Sequence, residues 1–336
     1  MKLEPHIRLA HGNGGRYMRE LIDGLFAARL GGQGLDTTVD AAMVEVPQGV
    51  KMMMTTDGFT VDPLEFPGGN IGSLAIHGTV NDLAVGGAFP LYLTLNAFIE
   101  EGTETALLER IVDALAAAAK EAGVKVVAGD TKVLARGECG GVYLATTGLG
   151  VVPASHKLGQ QYVRPGDKLI VTGTVGDHGT AVLLAREEYG LRGDLQSDSA
   201  SVLPITEMLM KRQGLRFMRD PTRGGLATVA LDLARESQLS INMEENAIPL
   251  SEPVQAVCEL LGYDPLYLAC EGRVVAAIAA DEADDAVQEL RLSGIAPDAA
   301  VIGTIGEKKG AVTLTTSLGG QRLIDELEDD PLPRIC

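Results

Sequence analysis

One stretch constrains this chain more than any other, because within it the hydrophobic period changes three times. "SLAIHGTVNDLAVGGA" repeats at helical spacing, "FPLYLTLNAFIE" is continuously apolar as a buried strand is, and "TETALLERIVDALAAAAKEAG" returns to the helical period over a long amphipathic run. "VKVVAGDTKV" then predicts another strand, ending in Gly129-Asp130. Helices and strands that alternate this closely must share one core, so the chain is of the mixed α/β (α+β) class. Upstream, "HGNGGRYMRELIDGLF" runs from a loop into a helix, and "VKMMMTTDGF" reads as a strand stopped by Asp57 and Gly58. Downstream, "GGVYLATTGLGVV" closes the half with a further strand.

With 336 residues, 46% of them hydrophobic, the chain can bury two cores, and two domains are expected. Pro153 and the Pro165-Gly166-Asp167 turn bracket a polar stretch, which places the first domain at residues 1–153 and the second at 154–318. The second half again mixes elements. It has a strand in "DKLIVTG", helices after Gly179 and Gly224, a strand in "RVVAAIAA", a helix from Asp281, and closing strands in "AAVIGTI" and "AVTLTT". The polar remainder, 319–336, reads as a flexible tail that carries the terminal Cys336.

Lys and Arg number 28 against 46 Asp and Glu, a formal net charge of -18, which argues against a nucleic-acid or membrane-surface partner. A nucleotide remains admissible if a metal ion neutralises its phosphates. The first residues lack a signal-peptide core and no window approaches a membrane span, so a cytoplasmic location is expected. Four cysteines, Cys139, Cys258, Cys270 and Cys336, form no metal or disulfide spacing, and the first three read as core thiols.

Three carboxylates occupy strand-end or glycine-flanked turn positions: Asp57 in "TTDGF", Asp130 in "AGDTKV" and Asp220 in "MRDPTRGG". Asp82 joins them from inside a helix so apolar that an unpaired carboxylate there would cost several kcal/mol. Oxygen ligands with no His or Cys beside them suit Mg²⁺, which most often accompanies a nucleoside triphosphate. Taken singly, each Asp could equally be a turn former or helix cap. "HGNGG", with Gly12, Asn13, Gly14 and Gly15, could offer backbone N–H groups to phosphate, although it matches neither common phosphate-loop pattern. Lys132 could neutralise a moving phosphoryl group or simply be a solvated lysine, and Arg223 at a helix start invites an anion. Asp177 and His178 in "GDHGTA" read as a helix cap. Glu271, between two apolar segments, is either a proton acceptor whose pKa burial raises or the partner of Arg273 in an ion pair.

Taken together, "AHGNGG", "TTDGFTVDPLEFPGGNIGSLAIHGTVNDLAVGGA", "AGDTKV", "DPTRGG" and the ending "PRIC" resemble the HypE family of hydrogenase maturation factors, within the PurM-like ATP-dependent enzymes. The resemblance covers essentially the whole chain and implies a PurM-like two-domain fold. It also implies a homodimer whose N-terminal domains form a β-barrel, with ATP bound in each subunit. The implied reaction dehydrates a carboxamide on the terminal cysteine to a thiocyanate at the expense of ATP. The carbamoyl group would come from HypF, and the cyanide would pass to iron on a HypC–HypD complex. On the matched motifs, Asp57, Asp82, Asp130 and Asp220 would hold Mg²⁺, and Lys132 would stabilise the moving γ-phosphoryl. Gly12, Asn13, Gly14, Gly15, Asn81, Thr131 and Arg223 would line the nucleotide, Glu271 would take an N–H proton, and Cys336 would carry the substrate.

Residues 319–336 could span about 55 Å if extended at about 3.1 Å per residue, with Pro331 and Pro333 stiffening the last stretch. Arg334, two residues from the thiol, would offset the α-carboxylate that otherwise raises the thiol pKa. Two rival readings share the acidic motifs: a PurM-like kinase of the selenophosphate synthetase or thiamin-phosphate kinase type, and a non-enzymatic nucleotide-gated carrier. The absence of a cysteine before Cys139 speaks against a selenophosphate synthetase.

Overall fold

Strict alternation in "VYLATTGLGVV" buries every second side chain of Val142–Val152, and the first half of the molecule is organised around that strand. The computed structural model describes residues 4–13, 15–31, 35, 37, 41–154, 157–186, 190, 191, 193–308 and 310–327. It divides into two compact units, the first built from residues up to Leu83 and Ala88–Ala154, the second from Ala84–Gly87 and the residues from Ser155 onward.

The first unit contains Arg16–Leu21 (α1), a π-helical turn Ile22–Ala27, Ala28–Leu30 (α2), Lys51–Phe59 (β1), Glu65–Phe66 (β2) and Gly69–Asn70 (β3). Ile71–Val85 (α3), Phe89–Glu100 (β4), Thr105–Glu121 (α4), Lys125–Leu134 (β5) and Val142–Val152 (β6) follow. Four strands form a sheet in the order β1-β6-β4-β5, antiparallel except for the β4–β5 pair that α4 connects. One face carries Leu93, Leu95, Ala97 and Ile99 of β4 with Val142 and Leu144 of β6, all buried. α3 lies on this face: its Thr79 hydroxyl bonds that of Thr146, and Gly78 abuts the Phe59 ring. It is apolar on nearly every side, as a fully buried helix is, and Leu74, Ile76, Val80 and Leu83 are sequestered. The alternate face shows Tyr92, Phe98, Tyr143 and Leu149 half-buried and Met54 73% exposed.

Two expectations about strand ends are corrected. β1 runs on through Asp57 and Gly58 to Phe59, and β5 runs on through Gly129 and Asp130 to Leu134. Both are edge strands, where Asp and Gly cost little because one flank of the ladder faces solvent. Pairing with the long inner strands overrides the weak local propensity.

The second unit contains Lys168–Val171 (β7), Asp177–Ala185 (α5), Leu203–Leu209 (α6), Leu215–Arg219 (β8), Gly225–Ser237 (α7) and Leu239–Glu244 (β9). Glu252–Leu261 (α8), Val275–Ile278 (β10), Ala280–Leu292 (α9), Ala300–Lys308 (β11), Val312–Thr315 (β12) and Gln321–Leu323 (β13) complete it. The seven strands are ordered β13-β12-β9-β11-β7-β10-β8, with only β12–β9 parallel. β7 and β10 are buried on both faces, between a core that includes Leu226, Val229 and Leu233 of α7 and another that includes Ile205, Ala283, Val287 and Leu290 of α6 and α9.

The segment from Gly319 to Leu327, expected as part of a flexible tail, is instead anchored to the second unit. β13 pairs with β12, Ile324 is 3% exposed, and its N–H donates to the Val312 carbonyl at 2.9 Å. The Tyr267 hydroxyl donates to the Asp325 carbonyl at 2.7 Å, and Arg235 pairs with Glu326. Leu323, Ile324 and Leu327 among polar residues are too few to give a period from which this anchoring could be read.

At Gly72 in α3, an added Cβ would collide with the Ile111 carbonyl of α4, so the helices meet at a distance only glycine permits. Gly72→Ala is expected to cost about 1–3 kcal/mol and lower the first unit's melting transition by several degrees. Gly24→Ala, where nothing lies within 4 Å, should leave it unchanged or slightly raised. Thermal unfolding followed by circular dichroism measures both.

Candidate functional site

In the first unit the strand register sorts the acids by face. Asp57 pairs with Thr146, Thr146 with Leu95 and Leu95 with Gly129, a single row across the sheet. Thr146 and Leu95 are buried under the helices, so Asp57 and Thr55, two residues apart on β1, share that helix-covered face. There the Thr55 hydroxyl donates to Asp82 Oδ2 at 2.7 Å, and the Gly58 N–H donates to Asp57 Oδ1 at 2.8 Å. Asp82 is therefore half-buried with a hydroxyl partner, not a carboxylate lost in an apolar helix. Asn81 beside it is buried.

Asp130 lies elsewhere. It pairs with Asn96, which alternates with buried Leu95 and Ala97 and so points to the open face, as does Lys132 opposite Phe98. The Lys132 ammonium meets Asp130 Oδ2 at 2.9 Å, the side chains being 57% and 51% exposed. β1 and β5 are opposite edges, roughly 14 Å apart at about 4.8 Å per ladder spacing. Within this sheet Asp130 and Lys132 thus lie at the opposite edge from Asp57 and on the other face. Thr131, next to Asp130, is buried toward the helices. Among the described residues no group of three or more His, Cys, Asp or Glu is arranged to hold a metal.

The second unit gathers its polar residues at one end of the seven-stranded sheet. Arg219 ends β8 opposite Val275 at the start of β10, and Val275 also pairs with Val171 at the end of β7. The loops that follow or precede these strands hold Asp220, Glu271 and Asp177, each buried. The Cys270 N–H donates to the Pro221 carbonyl at 2.9 Å, which ties the Asp220 loop to the Glu271 loop. Arg223, at the start of α7, is exposed. Arg273 is held by Asp177 at 3.3 Å, Asp198 at 3.5 Å and the Thr174 carbonyl at 3.0 Å. Asp177 also accepts from Ser251 at 2.8 Å, so it is one node of a buried network; the expectation of a cap at Asp177 and His178 is corrected, because Gly176 is the N-cap and both lie inside α5. His178 is fully buried with Nδ1 2.8 Å from the Ser197 hydroxyl, and burial drives its pKa down to about 4.

In the glycine turn Leu9–Gly12 form a 3₁₀ turn, Gly12 is pressed against Val133 of β5, and Gly15 precedes the six-residue α1, while Asn13 is exposed. Gly14 and Cys336 lie outside the described residues. Cys258 and Cys270 are core thiols, with burial pushing Cys258 up to about 11 and Cys270 well above its ordinary value. Cys139 is only half-buried, because it sits in the turn between β5 and β6.

Three residues escaped sequence reasoning as members of these clusters: Thr55, Ser197 and Asp198. "QSDSAS" has neither an apolar period nor a glycine turn, and Thr55 looks like any strand threonine. Both become visible only through partners 27 and 73 residues away.

Residues 38–152 match the family model of the AIR synthase related protein N-terminal domain, and residues 164–315 that of its C-terminal domain. The chain is 45% identical over 332 residues to the carbamoyl dehydratase HypE of Azotobacter vinelandii, covering 98% of this chain and 97% of that one. It superimposes on a crystal structure of the hydrogenase maturation protein HypE in complex with ATP with a TM-score of 0.92 at 41% identity, covering 98% and 99% of the two chains. A crystal structure of a HypE–HypF complex matches with a TM-score of 0.80 at 40% identity, covering 91% and 99%.

The buried His178 predicts a stability change with a definite sign. Its folded pKa of about 4 lies below the ordinary 6.5, so its contribution is complete above pH 6.5 and is lost as pH falls toward 4. The loss should be on the order of 3 kcal/mol, seen as a falling urea midpoint, and His178→Asn should flatten that slope.

Proposed function

Because the chain belongs to the HypE carbamoyl dehydratases of the AIR synthase related family, we propose that Asp57 and Asp82 hold the Mg²⁺ of ATP, and that Glu271 serves a substrate carried on Cys336. The protein is an enzyme of hydrogenase maturation, its reaction is an ATP-dependent dehydration, and it binds ATP. The single observation that carries the reading is likeness over 98% of the chain to HypE proteins, including one solved with ATP. The small-molecule kinase alternative loses its ground, since these full-length relatives are carbamoyl dehydratases.

The residues present suit magnesium. Mg²⁺ needs only one or two carboxylates when phosphates and water supply its other ligands, and Asp57 and Asp82 share one face of the sheet with Thr55 orienting the latter. Bound there, the ion would neutralise charge on the nucleotide phosphates.

The amide oxygen of the S-carboxamide is a poor leaving group until the γ-phosphoryl of ATP is transferred to it. The C–O bond then breaks with the oxygen leaving on phosphate, the nitrogen gives up its two protons, and the carbon becomes a nitrile. ATP and the thiocarbamate yield ADP, phosphate and a thiocyanate. Glu271, buried in the second unit, accepts an N–H proton. Water has to be kept out, since it would hydrolyse the activated amide. Lys132 and Asp130, on the open face with Met54 and Leu149, belong to the surface that pairs with a second copy in a homodimer. HypF donates the carbamoyl group, as the HypE–HypF likeness supports, and a HypC–HypD complex receives the cyanide. The reaction takes place in the cytoplasm, in keeping with the thiol chemistry of Cys336.

Beyond Leu327, the last described residue, nine residues remain to Cys336, which would reach roughly 28 Å if extended at about 3.1 Å each.

Carbamoylated protein given Mg-ATP should lose the mass of one water at Cys336 with release of ADP and phosphate. Intact-mass spectrometry showing no loss refutes the assignment. Cys336→Ala should abolish carbamoylation while ATP binding persists. Thr55→Val should weaken Mg-ATP binding by about 10–100-fold, as loss of a bond orienting a ligand carboxylate does, and isothermal calorimetry measures this.

A further inference from the structure

The Asp198 side chain is fully buried, yet the loop that bears it has no regular secondary structure and no obvious reason in its own sequence to bury a carboxylate. Its two oxygens are spent on one backbone turn. Oδ1 accepts the Glu271 N–H at 3.1 Å, and Oδ2 accepts the Gly272 N–H at 3.3 Å. The contact is returned by the backbone, since the Ala200 N–H points at the Glu271 carbonyl at 3.4 Å. Gly272 is needed for this approach, because a Cβ there would collide with the Asp198 carbonyl oxygen.

Both sides of the contact are themselves braced. Arg273 Nε lies 3.5 Å from Asp198 Oδ2, and its guanidinium is fixed by Thr174 and Asp177. On the other flank the Ser197 hydroxyl meets His178 Nδ1 at 2.8 Å and accepts the Ser199 N–H at 3.0 Å. Burial pushes the Asp198 carboxyl pKa up, while Arg273 and the two N–H donors pull it down. Burying two carboxylates around one guanidinium is a costly way to close a loop when an apolar contact would serve, so the arrangement calls for a role in geometry.

We infer that Asp198 is a positioning residue, gripping the backbone N–H groups of Glu271 and Gly272 so that the Glu271 carboxyl leaves the chain in one fixed direction. The inference rests on the reading of Glu271 as the proton acceptor. Displacement of a reacting group by about 1 Å can cost about 10²-fold in rate, which sets the size of the effect. Asparagine has nearly the shape of aspartate but presents an NH₂ to one of the two N–H donors, so it breaks the grip with little change of volume.

The test uses full-length carbamoylated protein with saturating Mg-ATP in single-turnover dehydration, with ATP affinity measured separately. Asp198→Asn should slow dehydration by about 10²-fold while ATP affinity and carbamoylation of Cys336 change less than about twofold. Combined with Glu271→Gln it should be no slower than Glu271→Gln alone, because a residue that acts only through Glu271 has nothing left to position. Should Asp198→Asn fold poorly, Ser197→Ala removes the neighbouring brace, and a severalfold slowing at unchanged ATP affinity supports the inference. Wild-type rates in Asp198→Asn, an additive double variant, a parallel loss of ATP binding, or no effect of Ser197→Ala each overturn it. Glu271→Gln dehydrating at the wild-type rate overturns the Glu271 reading itself. An inactive Glu271→Gln beside a fully active Asp198→Asn overturns only the positioning role.

Discussion

The hydrogen-bonded ladder between β1 and β6, and between β4 and β5, continues without a break through Asp57-Gly58 and Gly129-Asp130. Everything about the first unit's acids depends on that continuity. Once a residue is inside a ladder its side chain is committed to one face, and its neighbour to the other. Asp57 thereby joins Asp82 beneath α3, Asp130 joins Lys132 on the open face, and two carboxylates with nearly the same glycine-flanked sequence context acquire different surroundings. Local sequence made them look alike, and pairing partners separated them.

A different kind of constraint shapes the second unit. The buried carboxylates of Asp177 and Asp198 could not be sequestered without the half-buried Arg273, which the Thr174 carbonyl also holds. The segment after β7, the loop between α5 and α6 and the turn before β10 are thereby held in one arrangement, and the bond from Cys270 to the Pro221 carbonyl adds the loop of Asp220. The Glu271 and Gly272 N–H groups both donate to Asp198, which fixes the backbone of that turn.

The segment before the terminal arm follows the same economy. β13 adds a last strand, Ile324 enters the core of the second unit, and Tyr267 and Arg235 secure the next two residues.

Much of the fold was legible beforehand. Strong periodic segments such as "TETALLERIVDALAAAAKEAG" and "VYLATTGLGVV" became α4 and β6, because burying a stripe or an alternating face leaves a lasting mark on composition. Short elements with mixed character, β8, β9 and β13 among them, carried too few residues for a period to emerge. The glycine turn "AHGNGG", the acidic motifs and the terminal Pro-Arg-Ile-Cys are chemical facts of the sequence, and by resemblance they pointed to the family and its reaction. Which acid shares a face with which, that Lys132 is matched to Asp130, and that Asp198 grips the turn of Glu271 were decided only by tertiary structure. Those relations join residues brought together by strand register and loop packing, and neither is encoded in any single stretch of chain.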